Sequence, residues 1–239
     1  MLQAINLTKK FGELVAVDDL SFTVEKGQIF GIAGPNGAGK STVYNLITGF
    51  FPFEGKLLFN GEDISGKKPH RIAQMGIART FQVPHTFPSL TVEQALSVGS
   101  RFGDNTGFDP EYVDHLLDFL DFQEERYNLT GNLDLIGKKK LMIGAALATR
   151  PKLLMLDEPM AGSNAHEIQD LMEFIRRIND EMGVTIIIIE HFMKVLTELT
   201  ETLLIIESGS KIASGDPDIV TSNKHVVECY LGDAYASDN

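Results

Sequence analysis

Glycines, a lysine and two hydroxyl side chains occur together near the start of the chain, at a spacing that suits phosphate binding. They lie in the segment Gly34-Pro35-Asn36-Gly37-Ala38-Gly39-Lys40-Ser41-Thr42, which directly follows the apolar run Ile29-Phe30-Gly31-Ile32-Ala33. Glycines let a backbone curl so that successive N–H groups point inward around a phosphate. Lys40 would reach the β- and γ-phosphates, and the Ser41 hydroxyl would hold Mg²⁺. The pattern predicts a strand, a phosphate-binding loop and a helix.

A second set of candidate residues follows apolar runs in the second half of the chain. Asp157 and Glu158 come directly after residues 153 to 156, and His191 follows the run from 184 to 189 closely. An aspartate at the carboxyl end of a buried strand can anchor Mg²⁺, and the neighbouring glutamate can orient or deprotonate an attacking water. A histidine at the same edge can donate to a γ-phosphate. Each prediction has an alternative. Asp157 and Glu158 could be a solvated pair of charges, His191 could be a structural residue, and the loop at 34 to 42 could be a glycine-rich turn that binds no ligand.

These residues require a sheet whose strands end at one edge. The continuous apolar runs are typical of parallel strands buried on both faces, and the segments before residue 30 alternate in the manner of strands. Helical spacing dominates the residues after 84. We therefore expect one α/β domain over residues 1 to 239, with a parallel phosphate-loop core, an N-terminal antiparallel β lobe and a helical lobe inserted at about 84 to 150.

Composition limits the possible partners. A net charge of −12 argues against a general grip on nucleic acid, so no nucleic-acid partner is expected. The basic run Lys138-Lys139-Lys140 predicts a solvated helix face, with an anion contact as the alternative. The single cysteine, Cys229, fits a reducing compartment and is expected to be a minor core residue. The four isoleucines at 186 to 189 fall far short of a spanning helix, so a membrane role would require a partner.

The order of these motifs resembles the ATP-binding subunit of an ABC transporter, from about Leu2 to Gly232. The motifs that carry the resemblance are Phe11, the loop at 34 to 42, Gln82, Asp157-Glu158, Ala161-Gly162-Ser163-Asn164 and His191. Three further segments are similar to the branched-chain amino acid importer type: residues 76 to 82, residues 145 to 151, and the tail Tyr230-Leu231-Gly232-Asp233.

The resemblance implies further roles and partners. Phe11 would stack on adenine, although a core position is the alternative, and Gln82 would join the metal site and couple it to the inserted lobe. Two cassettes would close head to tail on two ATP molecules at the cytoplasmic face of the membrane. They would drive permease subunits and, indirectly, a solute-binding protein. The loop at 83 to 90, with Phe87, would either border the permease groove or simply pack within the lobe.

One motif departs from the family pattern Leu-Ser-Gly-Gly-Gln. Its positions are held by Leu133-Asp134-Leu135-Ile136-Gly137, where Asp134 and Gly137 would face the opposite nucleotide. Asp134 predicts a good helix N-cap but has no hydroxyl, and its charge would repel a γ-phosphate. We therefore hypothesise that the chain pairs with a different cassette whose signature is intact. The alternative is ordinary variation with a shifted register.

Three other functions remain open at the level of sequence. A degenerate signature would suit a regulatory subunit that binds ATP and hardly hydrolyses it, whereas Lys40, Asp157, Glu158 and His191 favour hydrolysis. An exporter cassette is a second possibility. A soluble ABC ATPase acting on ribosomes or DNA is a third, but such proteins usually carry paired cassettes or long coiled-coil insertions, and this chain has neither.

Overall fold

The computed structural model describes residues 1–103 and 107–229, which divide into two compact units. Among the described residues, the first unit comprises 1–69 and 174–229, and the second comprises 70–103 and 107–173. The lobe predicted at about 84 to 150 lies within the second unit. The tail at 230 to 233, which carried part of the family resemblance, lies outside the described residues.

The described residues include ten strands and eight α-helices. The strands are β1 (Leu2–Phe11), β2 (Leu14–Val24), β3 (Ile29–Ala33), β4 (Glu54–Phe59), β5 (Glu62–Asp63), β6 (Ile77–Arg79), β7 (Leu153–Asp157), β8 (Thr185–Ile189), β9 (Thr202–Glu207) and β10 (Ser210–Gly215). The helices are α1 (Lys40–Ile47), α2 (Pro69–Gln74), α3 (Val92–Phe102), α4 (Pro110–Phe119), α5 (Leu135–Leu147), α6 (Ala165–Met182), α7 (Met193–Leu199) and α8 (Pro217–Thr221).

The first unit contains an antiparallel sheet with the strand order β2-β1-β4-β5. Strands β1 and β2 are longer than the alternating segments predicted, because irregularities in their pairing interrupt the alternation of buried and exposed side chains. The turn between β4 and β5 is formed by Asn60 and Gly61, whose φ angles are 51° and 84°. Two positive φ angles in succession are typical of the tight hairpin turn that this dipeptide predicts.

The same unit also contains a parallel arrangement centred on β3. Strand β3 pairs in parallel with β8 on one side and with β9 on the other, and every residue of β3 and β8 is buried. Strand β9 turns through Ser208 and Gly209 into β10, as the sequence predicts. Burial on both faces explains why these strands are continuous apolar runs. The phosphate loop follows the carboxyl end of β3.

The second unit combines two parallel strands, β6 and β7, with helices α3, α4 and α5. Strand β6 ends at Arg79, and Phe81, two residues later, is 48% exposed. Helices α3 and α5 approach closely because Gly99 and Gly144 leave no side chain between them and their neighbours. In the described part of the chain, no helix combines the length and the apolar character needed to cross a membrane.

Two sequence predictions about individual side chains are wrong. The run at 138 to 140 is not a uniformly solvated face, because Lys139 is only 2% exposed. The lysine can be buried because its ammonium donates hydrogen bonds to two oxygens of the loop at 161 to 163. Cys229 is partly exposed and is not a core residue.

Candidate functional site

The loop after β3 has the backbone that phosphate binding requires. Gly34, Gly37 and Gly39 have φ angles of 155°, 78° and 104°, in the region that favours glycine. A Cβ on Gly34 would lie 2.0 Å from the carbonyl oxygen of Ile206, and one on Gly39 would lie 2.4 Å from that of Ala16. Glycine is therefore needed at these two positions for space as well as for conformation.

Lys40 begins helix α1 and is 8% exposed. Its Nζ donates to the carbonyl oxygens of Gly34 and Pro35, at 2.7 and 2.9 Å, so the ammonium lies inside the curl of the loop. Ser41, the next residue, is exposed. The first turn of α1 contains no acidic side chain, so the positive end of the helix dipole is not neutralised there.

The first unit also carries His191 and Phe11. His191 follows β8, and its Nδ1 lies 3.8 Å from the Oε2 of Glu190, a carboxylate that is fully buried. The backbone N–H of His191 donates to the same oxygen at 3.3 Å. His191 thus lies beside a buried carboxylate, a neighbour to which the sequence analysis assigned no role. Phe11 is 42% exposed and packs edge-on against Phe51, which leaves part of its ring open for stacking.

The second unit carries the carboxylates and Gln82. Glu158 has a φ of 47°, and its Oε2 accepts a hydrogen bond of 2.6 Å from the Nε2 of Gln82. Asp157, which ends β7 and is 8% exposed, forms a 3.1 Å ion pair with Arg79. The hydroxyl of Thr80 accepts a 3.4 Å hydrogen bond from the Asp157 backbone N–H. Strand pairing of β6 with β7 accounts for this arrangement, because it places both strand ends together.

Arg79 was missed as a site residue. Its only signal in the sequence was its position, three residues before Gln82 in a predicted strand. A buried carboxylate such as that of Asp157 needs a partner of opposite charge, and Arg79 supplies it.

Comparisons with known proteins agree with this geometry. A family model described as "ABC transporter" matches residues 17–161. The high-affinity branched-chain amino acid transport ATP-binding protein BraF of Pseudomonas aeruginosa is 36% identical over an alignment of 251 positions, gaps included, that covers 98% of each chain. The chain belongs to the ABC transporter ATP-binding cassettes. As a member of that family it is an ATPase subunit of a transporter.

Further relatives agree with this assignment. The probable branched-chain amino acid transport ATP-binding protein LivG of Methanocaldococcus jannaschii is 34% identical and covers 98% of each chain. A crystal structure of the ADP conformation of MJ1267, an ATP-binding cassette of an ABC transporter, has a TM-score of 0.88 at 33% identity and covers 97% of this cassette and 98% of that chain. This likeness confirms the predicted α/β fold class. A second model, "Branched-chain amino acid ATP-binding cassette transporter", matches residues 210–236.

The signature position of the cassette forms a regular helix start. Asp134 is the N-cap of α5, as predicted, and its Oδ1 accepts a 2.7 Å hydrogen bond from the backbone N–H of Gly137. The carboxylate is therefore engaged by its own helix. Leu135, the next residue, is 42% exposed. No hydroxyl is present from Leu133 to Gly137 to replace the serine of the family pattern.

The predicted site residues divide between the two units. The first unit holds Phe11, the loop from Gly34 to Thr42, and His191; the second holds Gln82, Asp134, Gly137, Asp157 and Glu158. Within the second unit, the structure brings Gln82 and Glu158 together.

Proposed function

We propose that the cassette hydrolyses ATP at a site built on its own Lys40 and Glu158, and that it powers import of branched-chain amino acids or related amides. The solute is inferred from the names of the relatives and from the family model at the carboxyl end. The observation that carries hydrolysis is the 2.6 Å hydrogen bond by which Gln82 holds the Glu158 carboxylate, directly after Asp157. A subunit that only bound ATP would have no use for this positioned base.

The residues have separate tasks in the proposed reaction. The loop N–H groups and Lys40 would hold the β- and γ-phosphates, and Phe11 would stack on adenine. Glu158 would orient the attacking water and accept its proton. His191, oriented by the buried Glu190, would donate a hydrogen bond to the γ-phosphate.

Mg²⁺ is proposed as the cofactor. Ser41, Gln82 and Asp157 offer a hydroxyl, an amide and a carboxylate oxygen, the hard ligands that Mg²⁺ prefers. Asp157 is 8% exposed and paired with Arg79, so its carboxylate is held in a fixed orientation. When bound, the ion would supply positive charge to the phosphate oxygens.

The proposed partners are a second cassette, membrane permease subunits and, indirectly, a solute-binding protein, at the cytoplasmic face of the membrane. The second cassette is proposed to be a different chain with an intact signature. Two copies of this chain would each present Asp134 and Gly137, without the serine hydroxyl of the family pattern, to the opposite nucleotide. Dimeric cassettes are known among solved structures of this fold. The comparisons do not favour the regulatory or exporter alternatives.

The test is the ATPase activity of the cassette with and without a candidate partner cassette, compared with Glu158→Gln. We expect at least a roughly hundredfold loss of turnover in Glu158→Gln, because the general base is removed. Glu181→Gln is the matched control, since Glu181 is an exposed carboxylate paired with Arg177. Nucleotide binding without any turnover dependent on Glu158 would overturn the proposal. Uptake of labelled amino acids by the assembled transporter would identify the solute.

A further inference from the structure

Three side chains of different chemistry converge at the end of β9. They are the carboxylate of Glu207, the imidazole of His225 and the thiol of Cys229, and one ligand atom from each lies within 4.8 Å of the other two. The Nε2 of His225 is 3.9 Å from the Oε2 of Glu207. Burial, and then the neighbouring Glu207 carboxylate, raises the pKa of the Cys229 thiol to about 11. All three belong to the first unit.

The backbone fixes two of the three on one surface. Residues 224 to 229 are helical, so His225 and Cys229, four positions apart, lie on the same face of that turn. Glu207 faces them from the last position of β9. An i, i+4 pair on a helix opposed by a third ligand from a strand is a geometry that can close around a single ion.

The combination of donors selects a class of metal. Thiolate, imidazole and carboxylate together are the ligands of Zn²⁺, whereas Mg²⁺ and Ca²⁺ take oxygen ligands. Ligand atoms at about 2.0 to 2.3 Å from a tetrahedral Zn²⁺ are about 3.3 to 3.8 Å apart. A separation of at most 4.8 Å therefore requires only a small inward movement of each side chain.

The surroundings leave room for a fourth ligand. A cavity of about 350 Å³ borders the cluster and is lined by residues 35 to 38 of the phosphate loop and by Glu207, Ser208, Glu228 and Cys229. Two of these side chains are carboxylates, and none of those described is basic. The Glu207 carboxylate at the edge of this cavity favours a cation in the cluster, and water from the cavity could complete the tetrahedron.

We propose that Glu207, His225 and Cys229 form a Zn²⁺ site, built from residues outside the phosphate loop but next to it, that fastens the helical segment 224 to 229 to the end of β9. The position matters because β9 adjoins the phosphate loop. The backbone N–H of Gly209 donates to the carbonyl oxygen of Ala38 at 3.0 Å. An ion on Glu207 therefore stabilises the turn against which the phosphate loop rests.

The experiment uses the full chain without a histidine tag, stripped with chelator and then titrated with Co²⁺ or Zn²⁺ alone, without nucleotide. We expect one ion per chain, and with Co²⁺ a thiolate-to-metal charge-transfer band in the near ultraviolet. Cys229→Ser abolishes the band. His225→Gln and Glu207→Gln each weaken binding by more than the roughly 10- to 100-fold that loss of an outer-shell partner costs.

His166→Gln is the matched control, because His166 is an exposed histidine 3.0 Å from a carboxylate, Asp170, outside the cluster. It leaves the stoichiometry and the band unchanged. Zn²⁺ also raises Tm in the wild type and not in Cys229→Ser, and this tests linkage to folding. The proposal is overturned if Co²⁺ gives no thiolate band, or if the three variants bind as the wild type does. Neither readout depends on ATP turnover.

Discussion

The ammonium of Lys139 donates a 2.7 Å hydrogen bond to the hydroxyl of Ser163 and a 2.6 Å hydrogen bond to the carbonyl oxygen of Ala161. The lysine is 2% exposed, so these oxygens replace the water that its charge has lost. Ala161 and Ser163 lie in the loop shortly after Glu158. Lys139 thus ties helix α5, at the signature position, to the loop that follows Glu158.

We predict that Lys139 and Ser163 are energetically coupled. Lys139→Met should lower the free energy of unfolding by about 2 kcal/mol and Ser163→Ala by about 1 kcal/mol, since hydrogen bonds to a charged donor contribute roughly 1.5 to 3 kcal/mol. The double variant should lose less than the sum of the two single losses. Urea unfolding of the four proteins checks this, with Lys138→Met as the control. Strict additivity would contradict the contact.

The phosphate loop was predictable because the chemistry of its ligand dictates both the residue types and their spacing. The three glycines and Lys40 are close in sequence, so a single segment contains the complete motif. Buried strands such as β8 were equally clear, since burial on both faces leaves a continuous apolar run.

Lys139 and Arg79 could not be predicted in the same way. Lys139 is buried and Arg79 is half-buried, and each is withdrawn from solvent because tertiary structure brings it an oxygen partner more than 20 positions away in the chain. A sequence pattern assigns such residues to the surface. The cluster at Glu207, His225 and Cys229 could not be predicted for a similar reason, since β9 and the helical segment 224 to 229 come together only in the tertiary structure.

Gly39 should be far less tolerant of substitution than Gly183. Both have positive φ angles, 104° and 65°, but a Cβ on Gly39 would lie 2.4 Å from the carbonyl oxygen of Ala16, while Gly183 has open space. We expect Gly183→Ala to cost about 1 kcal/mol from backbone strain alone, with unchanged nucleotide affinity. Gly39→Ala should cost more and abolish ATP binding. Urea unfolding and binding of a fluorescent ATP analogue measure both, and equal effects would refute the steric argument.

Asp109 should make the stability of α4 dependent on pH in acid. The backbone N–H of Tyr112 and then the nearby Arg150 lower the pKa of the Asp109 carboxyl below its usual 3.8. A lowered folded-state pKa means that the stabilisation is complete above the unfolded value and is lost as pH falls through the folded value.

The free-energy difference between wild type and Asp109→Asn should therefore be constant between about pH 5 and 8 and shrink below about pH 4. Asp118→Asn, an exposed substitution on the same helix, is the control. Urea unfolding across this pH range provides the measurement. A difference that grows toward low pH would show the opposite sign and contradict the assignment.

Restoring the signature should allow two copies of this cassette to work together. Replacing residues 134 to 137 by Ser-Gly-Gly-Gln supplies the hydroxyl and the small residues that the family pattern has, and serine preserves the N-cap of α5 that Asp134 now provides. We expect ATP to drive dimerisation of the restored Glu158→Gln form, measured by light scattering. Turnover of the restored chain without that substitution should rise at least about tenfold, the equivalent of 1.4 kcal/mol in the barrier.

Asp134→Ser alone separates the effect of charge from that of bulk. Because an ionised carboxylate near a γ-phosphate is repelled, this substitution should recover part of the gain, and Leu135→Gly with Ile136→Gly should supply the rest by permitting close approach. If the unaltered chain already forms an ATP-bound homodimer with the turnover of the restored form, the residues from Leu133 to Gly137 function as they stand, and no different partner cassette is needed.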